Sequence, residues 1–395
     1  MLNKLKLGST ISILLAVTII FLCFGKFIPI EIYRFLYGIS LSIKSIIIFL
    51  LPIIIFGLLF RTTINLAQDA TFIIGLILVL VCCSSFIVLF LSYFIGNWIY
   101  NFNLSILLPC NNNGLEPSWF LKLPQLISND KAMIAGIILG LIINFNNNRL
   151  KFNKFIAKKL DIIISIILKS FTYLIPLFIS GFIAKLQYDG VVSMIIKDYA
   201  LIFIVIALAQ FVYLFIIYYL LNNFKISKLL INIKNMLPAA ISGFSTMSSA
   251  ASMPLTIVGV EQNTKLKDLA KSVVPATVNI HLIGDCFATP ILAYAVLKNY
   301  SIAGPSLISY MVFIFYFILA KFSVAAVPGG GIIVMLPILE RYLGFNAEMM
   351  SLITALYILF DPIITCVNVL GNGAFAKMMD KIWAYWLNKK LLCKQ

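Results

Sequence analysis

Long apolar runs separated by short polar connections dominate the first 221 residues. The first run follows Lys4 and Lys6 as in a signal peptide, but no Ala-x-Ala-like cleavage site follows it. We therefore expect it to be a transmembrane helix. The fourth run is short and is expected to extend backwards; the others are long enough to cross about 30 Å of hydrocarbon. The six runs lie roughly at 8–26, 42–60, 71–96, 131–145, 160–185 and 191–221.

The pattern changes after about residue 235. Serines and prolines interrupt Pro238–Val260, and basic clusters flank it on both sides, which predicts a re-entrant hairpin covered by protein or a cavity. A span follows at Leu269–Leu297 that is broken in the middle, at Pro275–Asp285. The run Pro305–Leu343 folds about Val324–Gly331 and predicts a second hairpin.

The final apolar segment, Leu359–Lys377, carries a polar stripe. Asp361, Thr365, Asn368 and Asn372 are spaced by four, three and four residues and so share one helical face. A carboxylate and amides cost several kcal/mol in hydrocarbon unless they face partners or a water-filled cavity. Hairpin, broken helix, hairpin and polar helix form an inverted-repeat arrangement, which points to a binding site near the membrane midplane.

Composition supports an all-α polytopic membrane protein. The 395 residues are 62% hydrophobic and 11% charged, too apolar for a soluble core. The net charge of +16 lies mainly in short connections such as Asn146–Lys159, as the positive-inside rule predicts, so nucleic acid is not an expected partner. The connection Asn101–Asp130 has few basic residues and is placed outside, which leaves both termini cytoplasmic. The seven cysteines show no metal-ligand spacing.

Four motifs, in order, resemble the dicarboxylate/amino acid:cation symporter family. They are Ser248-Ser-Ala-Ala-Ser-Met-Pro254, Ala276-Thr-Val-Asn-Ile-His281, Val327-Pro-Gly-Gly-Gly331 and Asp361-x3-Thr-x2-Asn-Val-x-Gly-Asn372. The resemblance covers essentially the whole chain. It implies eight transmembrane helices plus two re-entrant helical hairpins, a homotrimer in the bacterial inner membrane, and elevator-type transport of a small molecule.

The same resemblance divides the chain into three parts. Residues 1–157 would form scaffold helices 1–4, with helix 3 partly in the transport domain, and residues 158–224 scaffold helices 5–6. Residues 225–395 would form the transport core of both hairpins, the broken helix 7 and helix 8.

By position, the resemblance also assigns a substrate site. Asp361 would hold a substrate amino group and Asn368 its α-carboxylate, while Thr365 lines the same site. Backbone groups around the hairpin tips would complete it; the tip residues are Ser248 and Ser249, and Val327 and Gly329.

Departures from the family pattern bear on substrate and coupling. Ile364 and Met247 stand at the two positions where acidic-substrate members carry an Arg, so a neutral substrate is expected. Asn372 and His281 replace sodium-binding carboxylates, and Lys321 lies in a segment that cradles another sodium ion. The candidate cation-coupling residues are therefore Asn279, His281, Lys321 and Asn372. We hypothesise that sodium coupling is weakened, or replaced by protons; no other cofactor and no firm metal site are predicted.

Simpler interpretations remain open for several residues. His281 could be a neutral core residue, or it could pair with Asp285, which follows four residues later on the same helical face. Lys321 could only snorkel towards the outer interface. Asn368, Thr365 and Asn372 could join helices by hydrogen bonds. Lys44 and Lys169 lie within spans and have no assigned role.

The sequence therefore favours a secondary transporter for a small amino acid or related carboxylate. An uncoupled facilitator or exchanger, or a transport-dead sensor, are the alternatives. An intramembrane enzyme is disfavoured, because the chain has a single His and no nucleophile–base or metal-ligand pattern.

Overall fold

In the described part of the chain every regular element is a helix, as predicted. The computed structural model describes residues 28–68, 72–102, 115–124, 127, 129–145, 192–266, 273–324 and 329–392, with isolated positions between 159 and 188. The predicted first span, 8–26, lies outside them. The helices are α1 Ile30–Gln68, α2 Phe72–Tyr100, α3 Asn129–Phe145, α4 Val192–Leu221, α5 Ile226–Thr246, α6 Ser249–Asn263, α7 Ile283–Asn299, α8 Leu307–Lys321, α9 Gly330–Leu343 and α10 Ala347–Leu392.

Within these described residues, three helical stretches have the length and apolar composition needed to cross a membrane. They are Gly75–Tyr100, Lys197–Leu221 and Ala347–Ala384. The predicted spans 42–60, 71–96 and 191–221 correspond to parts of α1, α2 and α4, and the short run 131–145 to α3. The total of eight crossings stays a prediction.

Two pairs of helices form hairpins close to the predicted positions. Helices α5 and α6 pack on each other across a turn at Met247, which has a positive φ of 49°. Ser248 is the N-cap of α6, and its hydroxyl accepts a hydrogen bond from the Ala251 N–H at 3.2 Å. Helices α8 and α9 form the second pair, and α9 begins after Gly329, whose φ is +69°. Re-entry of either pair into a membrane stays a prediction.

The broken helix is present where it was predicted. Residues 273–277 are helical, residues 278–280 form a turn, and α7 begins at Ile283. Helix α7 is buried along nearly its whole length and packs against α2 and α10. The last helix is longer than the predicted 359–377 at both ends, and it continues through Pro362. A proline removes one backbone donor, and packing on both sides can compensate for that loss.

Helix α10 lies against α4, α5, α6, α7 and α9 and is the centre of the fold. Helices α2 and α4 also pack on this core, α2 against α7 and α8, and α4 against α7 and α10. The division that places residues 158–224 in the scaffold and residues 225–395 in the transport core stays a prediction. Helices α1 and α3 pack on each other.

The close contact between α7 and α10 depends on Gly284. A Cβ atom there would lie 2.4 Å from the backbone oxygen of Ile364, whereas a Cβ on Gly75 would meet nothing within 4 Å. Because backbone cannot give way as a flexible side chain can, Gly284→Ala should destabilise the fold by about 1–3 kcal/mol. We expect Gly284→Ala to lower the thermal unfolding midpoint in detergent relative to the wild-type protein. The control Gly75→Ala should not lower it. Equal midpoints for both variants would contradict this packing.

Candidate functional site

Asp361 joins the last helix to the second hairpin. Its side chain is 4% exposed. The Oδ2 atom accepts a hydrogen bond from the Gly329 N–H at 2.9 Å, and the Oδ1 atom accepts one from the Thr365 hydroxyl at 3.1 Å. Gly329 precedes the first residue of α9, so the carboxylate lies at a helix N-terminus, where unpaired N–H groups favour an anion. The predicted Asp361 and Thr365 are therefore brought together with the predicted Gly329.

A second carboxylate, Asp285, lies in the first turn of α7 and belongs to the same site. Its Oδ1 atom accepts a hydrogen bond from the Tyr357 hydroxyl, and its Oδ2 atom accepts one from the Asn368 amide at 2.7 Å. The pairing with His281, one of the alternatives left open by the sequence, is not among these hydrogen bonds. The shared-face argument required an uninterrupted helix between these two residues, and the helix is broken there, because α7 starts only at Ile283.

Asn368 uses both ends of its amide within the protein. Its Nδ2 atom donates to Asp285, and its Oδ1 atom accepts from the Gly284 N–H at 2.8 Å. It therefore fixes α10 against the start of α7. Its Nδ2 atom has a second N–H group, which is a candidate donor to a ligand carboxylate in the cavity.

The side chains meet around a cavity of about 20 Å³, which has room for roughly one water molecule. Both hairpins close it, and an amino acid can enter only if one of them moves. A Cβ on Gly331 would lie 2.2 Å from Asp285 Oδ1, so the second hairpin can cover the carboxylate only with glycine at this position. The cavity is lined by Met247, Ser249, Leu282, Asp285, Val324, Gly331, Tyr357, Asp361, Thr365 and Asn368.

The two predicted tip serines differ in position. Ser249 lines the cavity and is 4% exposed. Ser248 is the N-cap of α6 and is not among the lining residues. Val327 lies outside the described residues.

The candidate cation-coupling residues do not gather at this cavity. Asn279 is half-buried in the turn before α7. His281 packs its ring on Phe375, with 4.5 Å between the ring centroids, and its Nε2 atom lies 3.0 Å from the Ser84 hydroxyl. Both polar atoms of the Asn372 amide are buried without a hydrogen-bond partner among the described residues.

Lys321 is 2% exposed rather than directed towards an interface. Its Nζ atom donates to Ser85 Oγ at 2.8 Å and to Cys286 Sγ at 3.0 Å. Across the described residues, no three His, Cys, Asp or Glu side chains are grouped so that they could hold a metal ion.

Sequence reasoning missed two members of the site, Asp285 as a lining residue and Tyr357. The spacing contained a signal for Tyr357, because it lies four residues before Asp361 and extends the polar stripe by one helical turn. The sequence contained no such signal for Asp285, because the helical face on which it lies depends on where α7 begins.

The model of the sodium:dicarboxylate symporter family matches residues 130–382, more than half of the chain. This match includes both hairpins, α7 and the polar face of α10, and it confirms the resemblance inferred from the four motifs. A comparison with curated proteins found no match.

Tyr357 supplies one of the two side-chain donors of Asp285, so its hydroxyl should contribute to stability. Removing it leaves a buried carboxylate oxygen unpaired, at a cost of about 1–3 kcal/mol. We expect Tyr357→Phe to lower the thermal unfolding midpoint in detergent. The control is Tyr316→Phe, in which the ring stacked on Tyr342 is kept and the cavity is untouched. An unfolding midpoint of Tyr357→Phe at or above that of the control would contradict the assignment.

Proposed function

Because the chain belongs to the sodium:dicarboxylate symporter family, we propose that it is an elevator-type secondary transporter of a small amino acid or related carboxylate. Members of this family are symporters rather than enzymes, which agrees with the apolar helices of the described chain. The proposed substrate is neutral rather than acidic, and sodium coupling is weakened or replaced by protons. We further propose a homotrimer in the inner membrane with both termini cytoplasmic.

The observation that carries the proposal is the hydrogen bond between Asp361 and the second hairpin. A substrate ammonium group is a stronger partner for a buried carboxylate than a backbone N–H, because it carries a full charge. An entering amino group would therefore take the place of the Gly329 N–H at Asp361. Substrate binding and the position of the second hairpin are thereby linked through one carboxylate.

The lining of the cavity supports a neutral substrate. Met247 is 2% exposed and presents an apolar side chain to the cavity, and none of the described residues that line it is a Lys or an Arg. A side-chain carboxylate on the substrate would face Asp285 and Asp361 without a guanidinium group to bind it. The α-carboxylate has the N–H groups at the start of α6 and α9 as candidate partners.

Support for altered coupling comes from the residue types. His281 and Asn372 offer a ring nitrogen and an amide where hard cations prefer carboxylate oxygens. Both are buried, and neither lines the cavity.

Ligand-induced thermal stabilisation in detergent tests the proposed site. A ligand that binds only the folded protein at 100 times its Kd stabilises it by about 2.7 kcal/mol. Small neutral amino acids should stabilise the wild-type protein, and Asp361→Asn should lose this effect at every concentration because the charge partner of the ammonium is gone. Glu340→Gln, which removes an exposed carboxylate from α9, is the matched control. If small neutral amino acids stabilise Asp361→Asn as much as they stabilise Glu340→Gln, the substrate amino group does not bind at Asp361.

A second variant tests the substrate preference. Met247→Arg adds a guanidinium group at the wall of the cavity, and it should raise the affinity for aspartate relative to alanine by about tenfold or more, since bidentate pairs are worth a few kcal/mol when buried. Competition between the two ligands against a labelled amino acid measures this ratio. Met247→Leu keeps the volume without the charge and should leave the ratio unchanged. A ratio that is the same in both variants would show that this wall does not meet the substrate side chain.

A further inference from the structure

Lys321 is a buried ammonium group outside the cavity, and it ties three elements together. It is the last residue of α8, the first arm of the second hairpin. Its Nζ atom donates to Ser85 on α2 and to Cys286 on α7. The C-terminus of a helix favours a cation, so α8 itself helps to stabilise the charge.

The direct partners of Lys321 are neutral, which leaves its charge to be balanced from further away. A buried ammonium costs several kcal/mol unless a countercharge is close. Asp285 precedes Cys286 in α7 and interacts electrostatically with Lys321. The lysine therefore balances the carboxylate that holds Tyr357 and Asn368 in the candidate site.

The groups around the Nζ atom suit an ammonium ion better than a metal ion. A thiol and a hydroxyl both accept hydrogen bonds, and Lys321 provides donors for both. Sodium prefers oxygen ligands, and Cys286 places a soft sulfur 3.0 Å from the charge.

We propose that the Lys321 ammonium is a tethered cation that takes the place of a dissociable coupling ion beside Asp285. A dissociable ion must bind from solution before the second hairpin can close, whereas the lysine is carried by that hairpin. Binding of an amino acid at Asp361 then needs no sodium. This inference rests on the proposed function, in which Asp361 receives the substrate.

Chemical rescue tests the proposal directly. Lys321→Ala removes three methylene groups and the ammonium, a volume that propylammonium can refill, whereas Lys321→Met removes the charge and keeps the space filled. Binding of a labelled neutral amino acid is measured in detergent, with N-methyl-D-glucamine as the only bulk cation and with propylammonium or sodium added. The control is Lys298→Ala, which removes a half-buried lysine of α7 that lies over the Tyr100 ring, 5.0 Å from its centroid.

The expected results separate the two variants. The wild-type protein and Lys298→Ala bind equally well with and without sodium, and propylammonium does not improve either. Lys321→Ala loses at least tenfold in affinity and recovers it with propylammonium, more than with sodium. Lys321→Met loses a similar factor and recovers with neither cation.

Three outcomes would overturn the inference while leaving the proposed amino acid site at Asp361 standing. They are a wild-type affinity that requires sodium, unchanged affinity in Lys321→Met, and a folded Lys321→Ala that propylammonium does not restore. If Lys321→Ala does not fold, the inference is still tested by the sodium dependence of the wild-type affinity and by the affinity of Lys321→Met. A wild-type protein that binds no amino acid in any of these buffers would instead overturn the proposed function.

Discussion

Buried carboxylates in an otherwise apolar core are the constraint on which the rest of this structure depends. Asp285 and Asp361 lie one on each of the two most central helices, and each needs hydrogen-bond donors in surroundings that offer little water. The side-chain donors come from α10, and one backbone donor comes from the start of α9. Meeting this requirement forces the broken helix, the last helix and the second hairpin to converge on one small cavity.

Glycine makes the convergence possible. Gly284 lets α7 touch the backbone of α10, and Gly331 lets the second hairpin rest directly on Asp285 and Tyr357. The same hairpin that covers the site also carries Lys321, whose ammonium reaches back to α7. Movement of this hairpin would therefore change the hydrogen bonds of Asp361 and the charge balance of Asp285 together, and this links ligand binding to the state of the hairpin.

Much of this arrangement was predictable from the sequence. The stripe from Asp361 to Asn372 follows from helical spacing, and the hairpins follow from serine, proline and glycine in apolar surroundings. The polar partners were less predictable. The helix is interrupted before Ile283, and this changes which side chains share a helical face. Asp285 therefore forms a hydrogen bond with Asn368 and not with His281. The burial of Lys321 depends on α2, which lies more than 200 residues earlier in the chain, and local pattern carries no information about such a contact.

The central claim is that Asp361 holds the substrate of a transporter that does not require sodium. Counterflow measures it most directly: labelled neutral amino acid enters proteoliposomes preloaded with the same unlabelled compound, in buffer with choline as the only bulk cation. We expect the wild-type protein to accumulate label under these conditions and Asp361→Asn not to do so. Accumulation by Asp361→Asn, or accumulation by the wild-type protein only when sodium is added, would contradict the claim.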